Sequence, residues 1–237
     1  MRMIFRAAAR TVLTVLALIS AAPASAQNGY TNTKSAEGIG KAYLGRDIAL
    51  VMGFQGAEWL ERSERRQEEG TDKLLPLLGL KATDTVADIG AGTGYFSFRM
   101  SPLVAKVYAQ DIQQEMLDLI NARKAKGEGA NVTTVLGGVM DPRLPANSID
   151  LILLVDVYHE FSYPREMGQA MVRALKPGGR IALIEYRGED PKVPIRDLHK
   201  MTEAQAKKEM AVLGLQWVGT DSTSLPWQHA MIFAKAK

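Results

Sequence analysis

The chain has 237 residues, no cysteine, 23% charged and 46% hydrophobic side chains, a balance that excludes intrinsic disorder, collagen-like repeats and a disulfide scaffold. Its length suits one domain of about 150 to 200 residues with an appendage. A formal charge of +3 and a pI near 9.0 would suit a polyanionic partner, so the position of the basic residues decides what the charge means.

The first residues read MRMIFRAAAR, then the uncharged run from Thr11 to Ala22, then the small-residue site Ala24-Ser25-Ala26. These are the three parts of a secretory signal peptide. As helix the uncharged run reaches about 18 Å against a hydrocarbon core of about 30 Å, so cleavage after Ala26 is expected, with an uncleaved membrane anchor as the alternative. Residues 1–26 contain Arg2, Arg6 and Arg10 and no acid, which leaves 26 basic and 26 acidic residues in the remainder. The positive excess thus belongs to the leader. The expected location is exported and periplasmic, with no stable membrane span after cleavage. Without a Lys/Arg run, nucleic acid is not an expected partner.

Residues 27–72 are polar and glycine-punctuated, with AEWLERSERRQEEG as their most helix-like part. Met52, Phe54, Trp59 and Leu60 offer too little apolar surface for a separate core. The segment is expected to be an arm or lid packed on the domain that fills residues 73–237. In that domain, apolar runs at TVADIG (85–90), KVYAQD (106–111), NVTTVLG (131–137), IDLILLVD (149–156) and RIALIEY (180–186) read as strands. Helical stretches at 113–126, 165–175 and 202–213 separate them, the second closed by KPGG. Two last strands near 216–220 and 229–234 have no helix between them, which makes the final one antiparallel. The expected fold is α/β: a doubly wound, Rossmann-like seven-stranded sheet, mostly parallel, with helices on both faces.

DIGAGTG (88–94) follows a strand and opens a helix, the context in which a glycine loop is informative. A dinucleotide fingerprint needs a third glycine where this chain has Tyr95, so a nicotinamide cofactor is disfavoured. An acid directly before a tight loop suits a cationic ligand without phosphate.

On DIGAGTGYF, QDI, DLILLVDVYHEF and RALKPGGRIALIEY, in this order, the chain from about residue 74 to 237 resembles the class I S-adenosylmethionine-dependent methyltransferases. The resemblance implies S-adenosyl-L-methionine as cofactor, with contacts at Asp88, Gly90, Ala91, Gly92, Gly94, Asp111, Ile112, Val139, Met140 and Asp156. Asp88 would face the amino end of the methionine part, and Asp111 would accept both ribose hydroxyls. Many relatives place an acid near the adenine where this chain has Val139 and Met140, with Asp141 as a substitute.

His159, just past the fourth strand, is the candidate general base, with Asp156, Tyr158 and Glu160 as lesser pocket candidates. Glu185, Tyr186 and Arg187 would hold substrate. The spacing of His159, His199 and His229 matches no zinc signature, so no metal is expected. The loop from Arg187 to Met201 is long enough to cover a site. The expected activity is methyl transfer to a small molecule, of the broad group that contains quinone-biosynthesis C-methyltransferases. A protein acceptor and a non-catalytic cofactor-binding module are the alternatives.

Overall fold

The computed structural model describes residues 28–236; the expected signal peptide lies outside them. From the N-terminus come β1 (Tyr30–Asn32), β2 (Gly38–Tyr43) and β3 (Arg46–Ala49), which pair antiparallel as a three-stranded sheet. Sequence reasoning saw an arm here but no sheet, because its strands are only three to six residues long and carry glycines. The usable signal was Leu44-Gly45, both at positive φ, which closes β2 onto β3 as a two-residue hairpin. Tyr30, Tyr43 and Ile48 form this sheet's own small cluster. The expected helical stretch that follows is broken into two single turns, α1 (Ala57–Leu60) and α2 (Arg65–Glu68). The longer α3 (Thr71–Leu77) leads into the main domain.

That domain runs β4 (Thr85–Ile89), α4 (Tyr95–Met100), β5 (Lys106–Asp111), α5 (Gln114–Ala125), β6 (Val132–Leu136), β7 (Ile149–Val155), α6 (Pro164–Ala174), β8 (Leu175–Arg187), β9 (Lys200–Met201), α7 (Glu203–Val212), β10 (Gln216–Asp221) and β11 (Gln228–Ala234). The sheet order is β10-β11-β8-β7-β4-β5-β6, with the two-residue β9 paired to the end of β8. All pairings are parallel except those of β11, which runs antiparallel to both neighbours. The doubly wound sheet is therefore as expected, with β9 as an extra short strand. The KPGG segment, read as a helix stop, is already extended and begins β8.

Alternation along the central strands feeds two cores. Val86, Leu151 and Leu153 face Phe96, Met100, Leu117 and Ile120 on one side. Ala87, Ile89, Ile152 and Leu154 face Met167, Met171 and Met210 on the other. Each fully buried Leu, Ile or Met contributes about 1.5 to 3 kcal/mol, so helices are required on both faces. β4 lies between β5 and β7, and the chain leaves these strands toward opposite sides. The loops after them part there and open a crevice at the carboxyl ends of the strands. Among the described residues no helix is long and apolar enough to cross a membrane.

Candidate active site

A cavity of about 500 Å³ occupies that crevice, within the usual range for a small-molecule site. Its floor is the loop after β4. Gly90, Gly92 and Gly94 have φ of +69°, +54° and +82°, values that side chains other than glycine adopt only with strain. A Cβ on Gly90 would meet Val157 Cγ2 at 2.4 Å, and one on Gly92 would meet Leu60 Cδ1 at 2.6 Å. The loop is thus pressed between the segment after β7 and the N-terminal arm.

Asp111 ends β5 beside this loop. Its Oδ2 accepts the Gly92 N–H at 2.9 Å and its Oδ1 accepts the Gln113 N–H at 2.9 Å. Burial pushes its carboxyl up, against these backbone donors. Each oxygen keeps a further acceptor site. Asp88 is buried behind the loop, where its Oδ2 accepts the Ser97 hydroxyl at 2.6 Å, and burial pushes its carboxyl up to about 6.

Of the residues named from sequence, Gly90, Gly92, Asp111, Ile112, Val139, Asp156 and His159 line the cavity. Asp88, Ala91, Gly94 and Met140 are not in its wall. Asp141 is exposed and stands 3.6 Å from Arg173. Arg187 donates to the carbonyls of Leu225 and Gln228 at 3.1 and 2.7 Å, which spends it on fixing the loop before β11.

The far wall is ionisable. Asp156 sits at φ +49°; its Oδ2 accepts Gln228 Nε2 at 3.0 Å, and its Oδ1 is sealed from solvent without a partner. Burial, and then the charges of Glu69 and Glu185, raise its pKa well above the usual carboxylate range. His159 is buried on a 3-10 turn after β7 (Tyr158–Glu160). Its Nδ1 lies 2.6 Å from Glu185 Oε2, and its Nε2 lies 2.9 Å from His199 Nδ1. Burial raises the neighbouring Glu160 to about 7 and lowers His199 below the ordinary histidine value.

Sequence reasoning gave His199 no role, because forty positions separate it from His159 and only the fold of the 187–201 loop brings the rings together. Ile195 and Arg196 of that loop also line the cavity. The arm supplies Met52, Trp59 and Leu60 to the wall. Gln113 receives the Phe54 N–H at 2.8 Å and donates to the Met52 carbonyl at 3.0 Å, while Met52 N–H donates to Glu160 at 3.2 Å. Nothing local in the sequence marks Gln113 as the tie between arm and domain.

A sheet in this order, with a glycine loop and a carboxylate at the ends of its first two strands, has the Rossmann-like fold of methyltransferases. Residues 87–183 match the family model described as "Methyltransferase domain". The chain is 30% identical over 139 residues to the uncharacterized methyltransferase Rv3342 of Mycobacterium tuberculosis, covering 59% of this chain and 53% of that protein. It is also 30% identical over 184 residues to the tRNA U34 carboxymethyltransferase of Desulfotalea psychrophila, covering 73% and 50%. The chain therefore spans about half the length of these relatives. The crystal structure of a SAM dependent methyltransferase from Aquifex aeolicus shares the fold, with a TM-score of 0.72 and 23% identity over 78% of this chain and 99% of that one.

Proposed function

We propose that this chain is an S-adenosylmethionine-dependent methyltransferase whose acceptor is a small molecule enclosed in the cavity. The observation that carries the reading is that a positive-φ glycine loop, Asp111 and His159 line one cavity. The residues suit the cofactor. Gly90 and Gly92 offer backbone to the methionine part, with Ala91 and Gly94 shaping the loop behind them and Asp88 as the negative group there. Asp111 has free acceptor sites for two ribose hydroxyls, and Ile112 and Val139 offer apolar surface for adenine. Bound there, S-adenosylmethionine supplies a methyl group on a cationic sulfonium.

The chain's own work is alignment and exclusion of water. The arm covers the cavity through Met52, Trp59 and Leu60, which supports its reading as a lid. Glu185 engages Nδ1 of His159 and makes Nε2 the lone-pair atom, which meets His199 Nδ1 at 2.9 Å, so His159 serves as base once the acceptor takes the place of that ring contact. A cavity of about 500 Å³, together with 26 basic and 26 acidic residues beyond position 26, supports a small acceptor over a nucleic acid.

Calorimetric titration with S-adenosylmethionine and its demethylated product tests the reading. Binding near one per chain is expected, and absence of heat with both would overturn it. A metabolite screen with labelled methyl donor then identifies the acceptor. We further propose export with cleavage after Ala26; full-length protein in the cytosolic fraction of fractionated cells would overturn that.

A further inference from the structure

We propose that His159, His199 and Glu160 form a site for one divalent transition-metal ion of the zinc class, with an open coordination position toward the cavity. The three side chains offer ligand atoms that converge. His159 Nε2 lies 2.9 Å from His199 Nδ1, and Glu160 Oε1 lies 4.0 and 3.7 Å from these two nitrogens. Ligands about 2.0 to 2.2 Å from a tetrahedral zinc ion stand about 3.3 Å apart. Side-chain shifts of less than about an ångström therefore complete the geometry.

The support behind the first ligand is of the kind a metal-bound imidazole requires. Glu185 is fully buried; its Oε2 holds His159 Nδ1 at 2.6 Å while its Oε1 accepts the Tyr158 N–H at 2.9 Å. A carboxylate on Nδ1 fixes the tautomer, turns the Nε2 lone pair outward and strengthens it as a donor. Arg46 donates to the His159 carbonyl at 3.1 Å and fixes the same turn from the arm side. A hydrogen bond between the two rings would account for the 2.9 Å separation. Glu160 is held beside them by the Met52 N–H, at 3.2 and 3.3 Å from its two oxygens, and lies beyond hydrogen-bond reach of both rings while pointing at the same place. A cation uses all three donors.

Two imidazoles and one carboxylate with the remaining positions free suit zinc or ferrous iron rather than magnesium or calcium. All three residues line the cavity, so the open position faces the acceptor. This role rests on the methyltransferase reading: the ion would hold the acceptor's oxygen, nitrogen or sulfur donor, with His159 as a ligand instead of a base. It replaces the expectation that the chain takes no metal, which came from histidine spacing along the sequence.

The test uses the full chain, stripped of metal with a chelator and titrated with Zn²⁺ by calorimetry and with Co²⁺ by visible absorption. One ion per chain is expected. His199→Ala should weaken binding by more than about 100-fold, and Glu185→Gln by about ten- to hundredfold, the usual cost of losing an outer partner. Circular dichroism checks folding, and Glu160→Gln serves if His199→Ala does not fold. Absence of both zinc heat and cobalt absorption would overturn the proposal, as would undiminished affinity in the folded variants. Titration of the same samples with S-adenosylmethionine separates the two readings. Donor binding without metal binding removes only the ion, and metal binding without donor binding removes only the methyltransferase.

Discussion

Asp88 illustrates how burial sets the behaviour of a single residue at this site. Desolvation outweighs the Ser97 hydrogen bond and lifts its carboxyl to about 6. A folded-state pKa above the unfolded value of about 3.9 means that the fold favours the protonated acid. The associated stability is fully present below about pH 4 and is lost as pH rises through about 6, a change of roughly 3 kcal/mol. Asp88→Asn keeps an acceptor for Ser97 and removes the titration. It should be more stable than the parent at pH 7.5 by up to about 3 kcal/mol, with the difference vanishing near pH 4, as measured by urea unfolding at both values. Asp111 answers a different question. If its oxygens hold two hydroxyls, Asp111→Ala should weaken donor binding by about 100-fold, since a hydrogen bond to a charged group is worth about 1.5 to 3 kcal/mol; calorimetry reads the change. Both acids were legible from sequence because strand, turn and helix signals bracket them within a few positions. His199 was not, and Glu185 was expected to hold substrate whereas it is buried against His159; both take their role from meeting His159, and no local pattern encodes a contact across 40 and 26 positions.

At the scale of elements, the small sheet β1–β3 is tied to the domain by a buried ion pair and by polar contacts around it. Arg46 on β3 makes a two-pronged ion pair with Glu209 on α7, at 2.7 and 2.9 Å, with Glu209 fully buried. Tyr30 on β1 donates to Glu166 on α6 at 2.5 Å, and Lys208 on α7 reaches the Leu44 carbonyl at 2.6 Å. Removing one partner of a buried pair strands the other charge. Arg46→Met should therefore cost about 3 to 5 kcal/mol, and adding Glu209→Leu should recover most of it; a double-mutant cycle by thermal or urea unfolding checks this. The glycine loop offers a second cycle. Alanine at Gly92 would place its Cβ 2.6 Å from Leu60 Cδ1, the movable end of a half-buried side chain, so Gly92→Ala should destabilise by the ~1 kcal/mol of backbone strain and displace Leu60. Leu60→Ala in the same chain should remove the displacement and leave the strain. The main sheet was readable because its strands are long, apolar and regularly interrupted by helices. The arm was not, because short strands rich in glycine and charge carry no periodicity and take their conformation from the helices beneath them.

The whole molecule is a rigid sheet with a softer cover. Strands β4, β7 and β8 have fully buried residues at their centres. The segment after β3 keeps Leu50, Val51, Phe54 and Trp59 more than a third exposed while crossing the cavity mouth. Its ties there are few: Gln113 to Met52 and Phe54, Glu160 to Met52, and Thr93 to Glu61 at 2.5 Å. Local opening free energies follow the density of buried contacts, so this cover should open at a fraction of the cost of unfolding the sheet. Apart from the 3.6 Å pair of Glu61 with Arg123, these ties end on or beside residues that line the cavity. A ligand that fills the cavity therefore gains the cover as its fourth wall and stabilises the closed state by its differential affinity for that state. Hydrogen exchange followed by mass spectrometry should find amides of residues 51–61 exchanging far faster than those of β7 in the free protein. Saturating S-adenosylmethionine should slow the former by about tenfold or more, equivalent to about 1.4 kcal/mol, while β10 and β11 at the sheet edge stay unchanged. Gln113→Ala, which cuts two ties at once, should raise exchange in the cover without touching β7. If donor binding instead protects the sheet and the cover equally, the arm is part of the fold's core and not a moving lid.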